Sequence, residues 1–346
     1  MSKQCPTVTV LMAVYNGQQY LPEAIESILS QSFTDFEFLV IDDGSEDSSP
    51  AIIQSYGDPR ICLIRNATNR GLAASLNIGI AAATGRYIAR MDADDISLPA
   101  RLSQQVDFME AHQNVGVCGT WVEIIGIDRK LVWEYPSDCD TIQARLLFDS
   151  PLAHPSTIFN RALMQKSQLF YDSSYPCAQD YELWSRAAGC FALANFPEVL
   201  LLHRIHVGQI GQRESSTQQT WASKIRRSQL NRLGLSPTNE EFATHIALSM
   251  WTWPTEITFL EESEAWFLRL SAANKCMGLY PEPAFSQVVG ERWMAVCQSV
   301  QPQLSQRILK SPLSGSLDLV WKRKIRRGLW RGLSLLGFDR AGSGSS

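Results

Sequence analysis

Between Val8 and Asp95 the chain repeats one unit, an apolar strand followed by an amphipathic helix. No other feature restricts the fold as strongly. Runs suited to strands cover Val8 to Val14, Phe36 to Ile41, Ile61 to Arg65 and the stretch leading into Asp92. Helical patterns fill the gaps at Tyr20 to Gln31, Pro50 to Tyr56 and Leu72 to Ala83. Strands alternating with helices predict an α/β fold with a parallel, doubly wound sheet, because each crossover helix has to cover one face of the sheet.

Two strands stop abruptly on acids. Asp42 and Asp43 follow Ile41, and Asp92, Asp94 and Asp95 follow Met91. Ligands of open parallel sheets bind beyond the carboxyl ends of the strands, so Asp42, Asp43, Asp92 and Asp94 are expected as neighbours around one crevice. Crowded carboxylates repel and raise one another's pKa. A divalent cation resolves that conflict, and a cation so held suits a diphosphate. Asp92 and Asp94 alternate along an extended segment and therefore face the same side. Asp43-Gly44-Ser45 has a second reading as a turn that caps the next helix. Asn16-Gly17 reads as a simple turn.

The 346 residues suffice for one large or two modest domains, and an apolar content of 45% supports a real core. A formal charge of -4 gives no general reason to expect a nucleic-acid partner. Eight scattered cysteines contain no C-x-x-C pair and read as reduced core thiols of a cytosolic protein. No apolar run reaches the roughly eighteen residues of a membrane span, and the N-terminus offers no apolar signal region. The expected location is the cytoplasm, free or peripheral to the inner face of the plasma membrane.

Taken in order, Thr9 to Asn16, Val40-Ile41-Asp42-Asp43-Gly44-Ser45, Asn69-Arg70-Gly71 and Met91-Asp92-Ala93-Asp94-Asp95 resemble the family 2 glycosyltransferases, enzymes of GT-A fold. The likeness continues through Pro99 to Leu102, His154-Pro155-Ser156, Gln179 to Trp184 and Arg204-Ile205-His206, covering roughly the first 210 residues. It implies an inverting transfer of sugar from a nucleotide-diphosphate donor, a UDP-sugar first of all, to a glycan or lipid-linked acceptor, as in surface polysaccharide assembly. It further implies that Ala13 and Tyr15 line the base pocket, that Asp42 and Arg70 contact the nucleotide, and that Asp92 bonds the ribose. Asp94, with His206 beside it, would hold Mn²⁺ or Mg²⁺. Asp180 would be the general base, with Glu182 a weaker choice; Gln179 stands where similar enzymes carry the first acid of a Glu-Asp pair. That departure leaves room for an alternative, a non-catalytic sugar-nucleotide binder retaining the fold.

Several residues of these motifs have plainer readings. Arg101 is expected to support a loop, His203 is a poor candidate, and Asn77 receives no role. A metal-dependent phosphohydrolase would want its acids on the first strand, which here ends in Tyr15-Asn16, and no G-x-G-x-x-G follows that strand for a dinucleotide.

The catalytic domain is expected over 1–211, and a helical region over 212–340. Its helices are predicted at Gln218 to Leu233, Glu240 to Met250, Ile257 to Asn274 and Phe285 to Val300. Within Leu317 to Leu336 apolar residues recur every four positions while Arg323, Lys324, Arg327 and Arg331 gather elsewhere. A basic amphipathic helix of this kind suits an anionic membrane surface, or equally a terminal helix docked on its own protein. Residues 341–346 read as a flexible tail.

Overall fold

The structure, a computed structural model, describes residues 5–206, 208, 215–300 and 311–313. The basic helix expected at Leu317 to Leu336 and the tail at 341–346 lie outside the described residues. No described helix is long and apolar enough to cross a membrane.

Residue contacts divide the chain into two compact units, Met1–Cys139 with Ser150–Ala222, and Asp140–Asp149 with Ser223–Ser346. The first unit opens with β1 (Val8–Val14), α1 (Leu21–Leu29), β2 (Phe36–Asp42), α2 (Ser49–Ser55), β3 (Ile61–Arg65), α3 (Leu72–Ala82) and β4 (Tyr87–Asp92). These strands pair in parallel in the order β3-β2-β1-β4. Six of the seven β1 residues are buried, as a strand covered on both faces requires. Helix α1 presents Leu21, Ala24, Ile25 and Ile28 to the core, a spacing that keeps them on one stripe.

Beyond β4 the sheet becomes mixed. After β5 (Ile96–Ser97) and α4 (Arg101–Ala111) come β6 (Val115–Ile125), β7 (Leu131–Trp133), β8 (Ile158–Asn160), α6 (Arg161–Lys166), α7 (Gln179–Ala187) and β9 (Ala192–Arg204). β8 runs antiparallel to both β4 and β6, and β9 runs parallel to β6. Sequence alternation predicted the parallel half; the short β8 and the long, bulged β9 follow from pairings that local pattern does not encode. Arg101 is fully buried on α4, where it donates to the Arg90 carbonyl and to Gln105. It supports the backbone under β4 rather than a loop carboxylate.

The second unit gathers α8 (Ser215–Arg232, its last ten residues), α9 (Asn239–Met250), α10 (Ile257–Met277) and α11 (Ala284–Val300) around a core that includes Trp266, Phe267 and Trp293. Thr238 and Glu241 form a reciprocal capping box at the start of α9. The segment Asp140–Asp149, which includes most of α5 (Cys139–Arg145), is built into this core. Leu147 and Phe148 are fully buried; the Phe148 carbonyl accepts from Arg226 Nε, and the Leu147 carbonyl lies 3.1 Å from His245 Nε2. Burial, then the charge of Arg226, pulls the His245 pKa down to about 3, so its ring stays neutral. Arg292, 1% exposed, pairs with Asp149 and lies over the Phe148 ring at 4.2 Å.

Arg292→Ala is expected to cost about 3 kcal/mol, because it strands a partly buried carboxylate and uncovers the ring. Arg145 stays 3.3 Å from Asp149 and keeps the loss at that lower end. Thermal unfolding of the full chain measures it, and an unchanged midpoint would refute this account of the core.

All eight cysteines are free. Only Cys118, Cys177 and Cys297 are buried, whereas Cys5, Cys62, Cys190 and Cys276 are exposed, so the expectation of core thiols holds for three.

Candidate active site

The chain leaves β1 for β2 on one side and returns to β4 on the other, so a crevice opens beyond the ends of β1 and β4. Ala13 is in register with Ile41 on one neighbour and Asp92 on the other, and Val14 is in register with Asp42. Two sets of groups form at this edge.

The first set is acidic. Asp92, Asp94 and Asp95 bring carboxylate oxygens within 4.8 Å of one another. Arg90, 2% exposed in the middle of an apolar strand, grips Asp92 with both terminal nitrogens. Burial pushes the Asp92 pKa up to about 6, with Arg90 opposing and Asp94 and Asp95 reinforcing the rise. Asp95 is fully buried; it accepts the Arg204 N–H at 2.8 Å and lies 3.0 Å from His203 Nδ1. Burial pulls the His203 pKa down, but the Asp95 bond and the nearby acids outweigh it and leave it raised. Asp94 Oδ2 stands 2.9 Å from His206 Nε2, with both side chains about one fifth exposed. Arg90 thus orients Asp92, while His203 and Arg204 orient Asp95. Asp94 and His206 offer an oxygen and a nitrogen donor engaged only with each other among these side chains, while Asp92 is as exposed as they are, and the set suits Mn²⁺ and, through its carboxylates, Mg²⁺.

Asp42 and Asp43 are not among these acids, which corrects the expected quartet. Asp42 is fully buried, accepts the Ser45 N–H at 3.0 Å and pairs with Arg65 Nε at 2.9 Å. Asp43 accepts from Asn66 Nδ2 and from the Arg70 and Gly71 N–H groups, and so shapes the loop before α3. Gly44 makes this turn possible: its φ is +77°, and a Cβ there would meet the Thr68 carbonyl carbon at 2.7 Å.

The second set surrounds a cavity of about 570 Å³ bordered by Tyr15, Gly44, Ser45, Arg65, Asn66 and Asn69, among others. Tyr15, 48% exposed, borders it. Arg65 lines the cavity while holding Asp42 and the Ser45 carbonyl. Ala13, Asp42 and Arg70 do not border it; Asp42 holds Arg65 instead, and the Arg70 side chain is exposed beyond the loop. Asn16 has positive φ and accepts the Glu46 N–H, so it bears out the turn reading.

Asp180 lies in the first turn of α7 behind Ala178, whose backbone is left-handed. Burial raises its pKa, while the Tyr181 N–H and the charge of Arg90 work against the rise. Glu182 is held by Arg186 through two bonds of 2.6 Å, which occupies it as an ion-pair partner. His154 Nε2 lies 2.6 Å from the Tyr171 hydroxyl; burial, then Arg90, keeps this histidine neutral. Asn77 clasps the Tyr171 backbone at both N–H and carbonyl. His154 and Asn77 thus both converge on Tyr171.

The profile of the family described as Glycosyl transferase family 2 matches residues 9–167. An uncharacterized glycosyltransferase of Haemophilus influenzae is 33% identical over 249 residues, 67% of this chain and 77% of that protein. The chain belongs to glycosyl transferase family 2. Among solved structures, this glycosyltransferase resembles S. aureus TarS 1-349 in complex with UDP-GlcNAc, with TM-score 0.55 and 16% identity over 93% of this chain and 92% of that one. It also resembles the mannosyltransferase PcManGT of Pyrobaculum calidifontis in complex with GDP-Man and Mn²⁺, with TM-score 0.52 and 19% identity over 87% and 89%. These likenesses establish the GT-A fold.

Arg90, Arg65 and Tyr171 carried no expectation from the sequence, and Asp95 entered only as part of the acid run after Met91. An arginine inside an otherwise apolar strand signals a buried charge that needs an anion, and Asp92 two residues on was the available one. Nothing in the sequence distinguished Arg65 or Tyr171.

Proposed function

We propose that this glycosyltransferase moves a sugar from a UDP-sugar to a hydroxyl of a glycan or lipid-linked acceptor, with inversion at the anomeric carbon. The observation that carries the reading is the gathering of Asp92, Asp94 and Asp95 with His206 at the crevice of a family 2 chain. The cavity beside Tyr15 would take the base, with Arg65 at its wall; Asp42 would act through Arg65, and the Ala13 backbone and Arg70 would meet the nucleotide outside that cavity. Asp92, held by Arg90, would accept from the ribose hydroxyls.

In the reaction, Asp180 takes the proton of the acceptor hydroxyl. The freed oxygen attacks the anomeric carbon as the bond to the diphosphate breaks on the opposite face, so one bond forms, one breaks, and the configuration inverts. A divalent cation held by Asp94 and His206 would supply charge neutralisation for the diphosphate. The raised pKa of Asp180 suits a base, because a stronger base accepts the proton more readily. Activity should therefore fall as pH drops through a value above the ordinary aspartate range. Assembly of surface polysaccharide at the inner face of the membrane is the setting proposed, by analogy within the family.

Calorimetric titration of the full chain with UDP and with GDP, each with and without Mn²⁺, tests the reading. UDP is expected to bind, to need Mn²⁺ for full affinity and to outcompete GDP. Absence of any nucleotide binding would overturn the proposal.

A further inference from the structure

His206 sits beyond the end of β9, where no ladder bond fixes its side chain. Its Nε2 faces Asp94 and its Nδ1 accepts the Gly208 N–H, and the ring's face is covered from the start of α1. The Tyr20 ring lies 4.8 Å from the His206 ring, centre to centre. The same ring lies under the Arg204 guanidinium, 4.6 Å from its carbon. Tyr20 itself is anchored, because its N–H donates to the Gly17 carbonyl and its own carbonyl accepts from Ala24 as the helix begins.

Arg204 joins this contact to the acids. Its Nε donates to the Asp94 carbonyl at 2.9 Å, its backbone N–H donates to Asp95, and a terminal nitrogen pairs with Glu23 on the first turn of α1. Arg204, the last residue of β9, and His206, two residues on, both reach the same ring. The Asp94 backbone and the His206 imidazole are thereby referred to one rigid helix start.

Resting on the proposed donor site, we infer that Tyr20 is a positioning residue for the cation ligands: its ring face holds His206 and Arg204 in the arrangement that binds the metal. Nothing in this role requires the phenol hydroxyl. It works by preorganisation, since a histidine already fixed in its rotamer loses less freedom on binding, and each such side chain contributes about twofold to tenfold in affinity.

Mn²⁺ titration of the full chain in the presence of UDP, read by electron paramagnetic resonance, tests this without relying on turnover. Tyr20→Leu should weaken Mn²⁺ binding about fivefold, Tyr20→Phe should stay within about twofold of wild type, and Asp94→Ala should abolish it. Arg204→Lys, which removes the flat guanidinium from the ring together with its bond to the Asp94 carbonyl, should weaken binding in the same direction; if Tyr20→Leu fails to fold, Tyr20→Met, which keeps bulk without a flat face, decides the matter. Wild-type affinity in folded Tyr20→Leu, with binding still lost in Asp94→Ala, overturns the positioning role alone. A Tyr20→Phe as weak as Tyr20→Leu overturns the ring-face argument. Undiminished binding in Asp94→Ala overturns the donor-site reading and the inference with it.

Discussion

Asp180→Asn is expected to lower kcat by about 10²- to 10⁴-fold, the usual contribution of a positioned base, while UDP binding stays near wild type. The same substitution should raise thermal stability at neutral pH. Burial lifts the Asp180 pKa above its unfolded value, so the folded chain holds protons more readily than the unfolded one. The stability linked to that proton is complete below the ordinary aspartate pKa and is lost as pH rises through the folded value. Asparagine carries no charge to bury, so the advantage of the variant should grow from acid to neutral pH. Turnover assays with scanning calorimetry at both pH values check this, and full activity in the variant would place the base elsewhere.

The second large effect concerns Asp94. Asp94→Ala should reduce kcat/KM by about 10³-fold or more, in line with the several kcal/mol that a bound cation gives to a departing oxyanion. It should also make UDP affinity indifferent to Mn²⁺. Asp94 is about one fifth exposed and bonds His206, so the unfolding midpoint should move little. A variant whose UDP binding still responds to Mn²⁺ would show that the cation has other ligands.

The sequence revealed the parallel half of the sheet because each of its strands is a continuous apolar run and each crossover an amphipathic helix. It revealed the four C-terminal helices within a few residues because proline interrupts them and apolar periodicity fills them. The acid run after β4 was equally legible, and so was the closeness of Asp94 to His206 once the family likeness was noticed. The division of labour among the acids was not legible. Whether Asp42 faces a ligand or a neighbour depends on Arg65, a partner 23 residues away whose side chain reaches it across the β2–β3 pair. Asp95 and His203 are 108 residues apart in the chain and meet because β5 pairs with β9. Family likeness ranked Asp180 above Glu182 on the first turn of one helix, but it did not indicate that Glu182 is held by Arg186.

The segment Asp140–Asp149 bears on how this chain can be cut. By linear order it belongs to the N-terminal part, yet Leu147 and Phe148 are buried against helices that arrive more than seventy residues later. A fragment stopped near residue 211 would keep both side chains and lose what covers them. Re-exposing two such side chains forfeits about 3 to 6 kcal/mol and leaves an oily strip for other copies to stick to. Trimming by motif boundaries would thus produce an aggregating remnant rather than a minimal enzyme, and the helices must travel with the sheet.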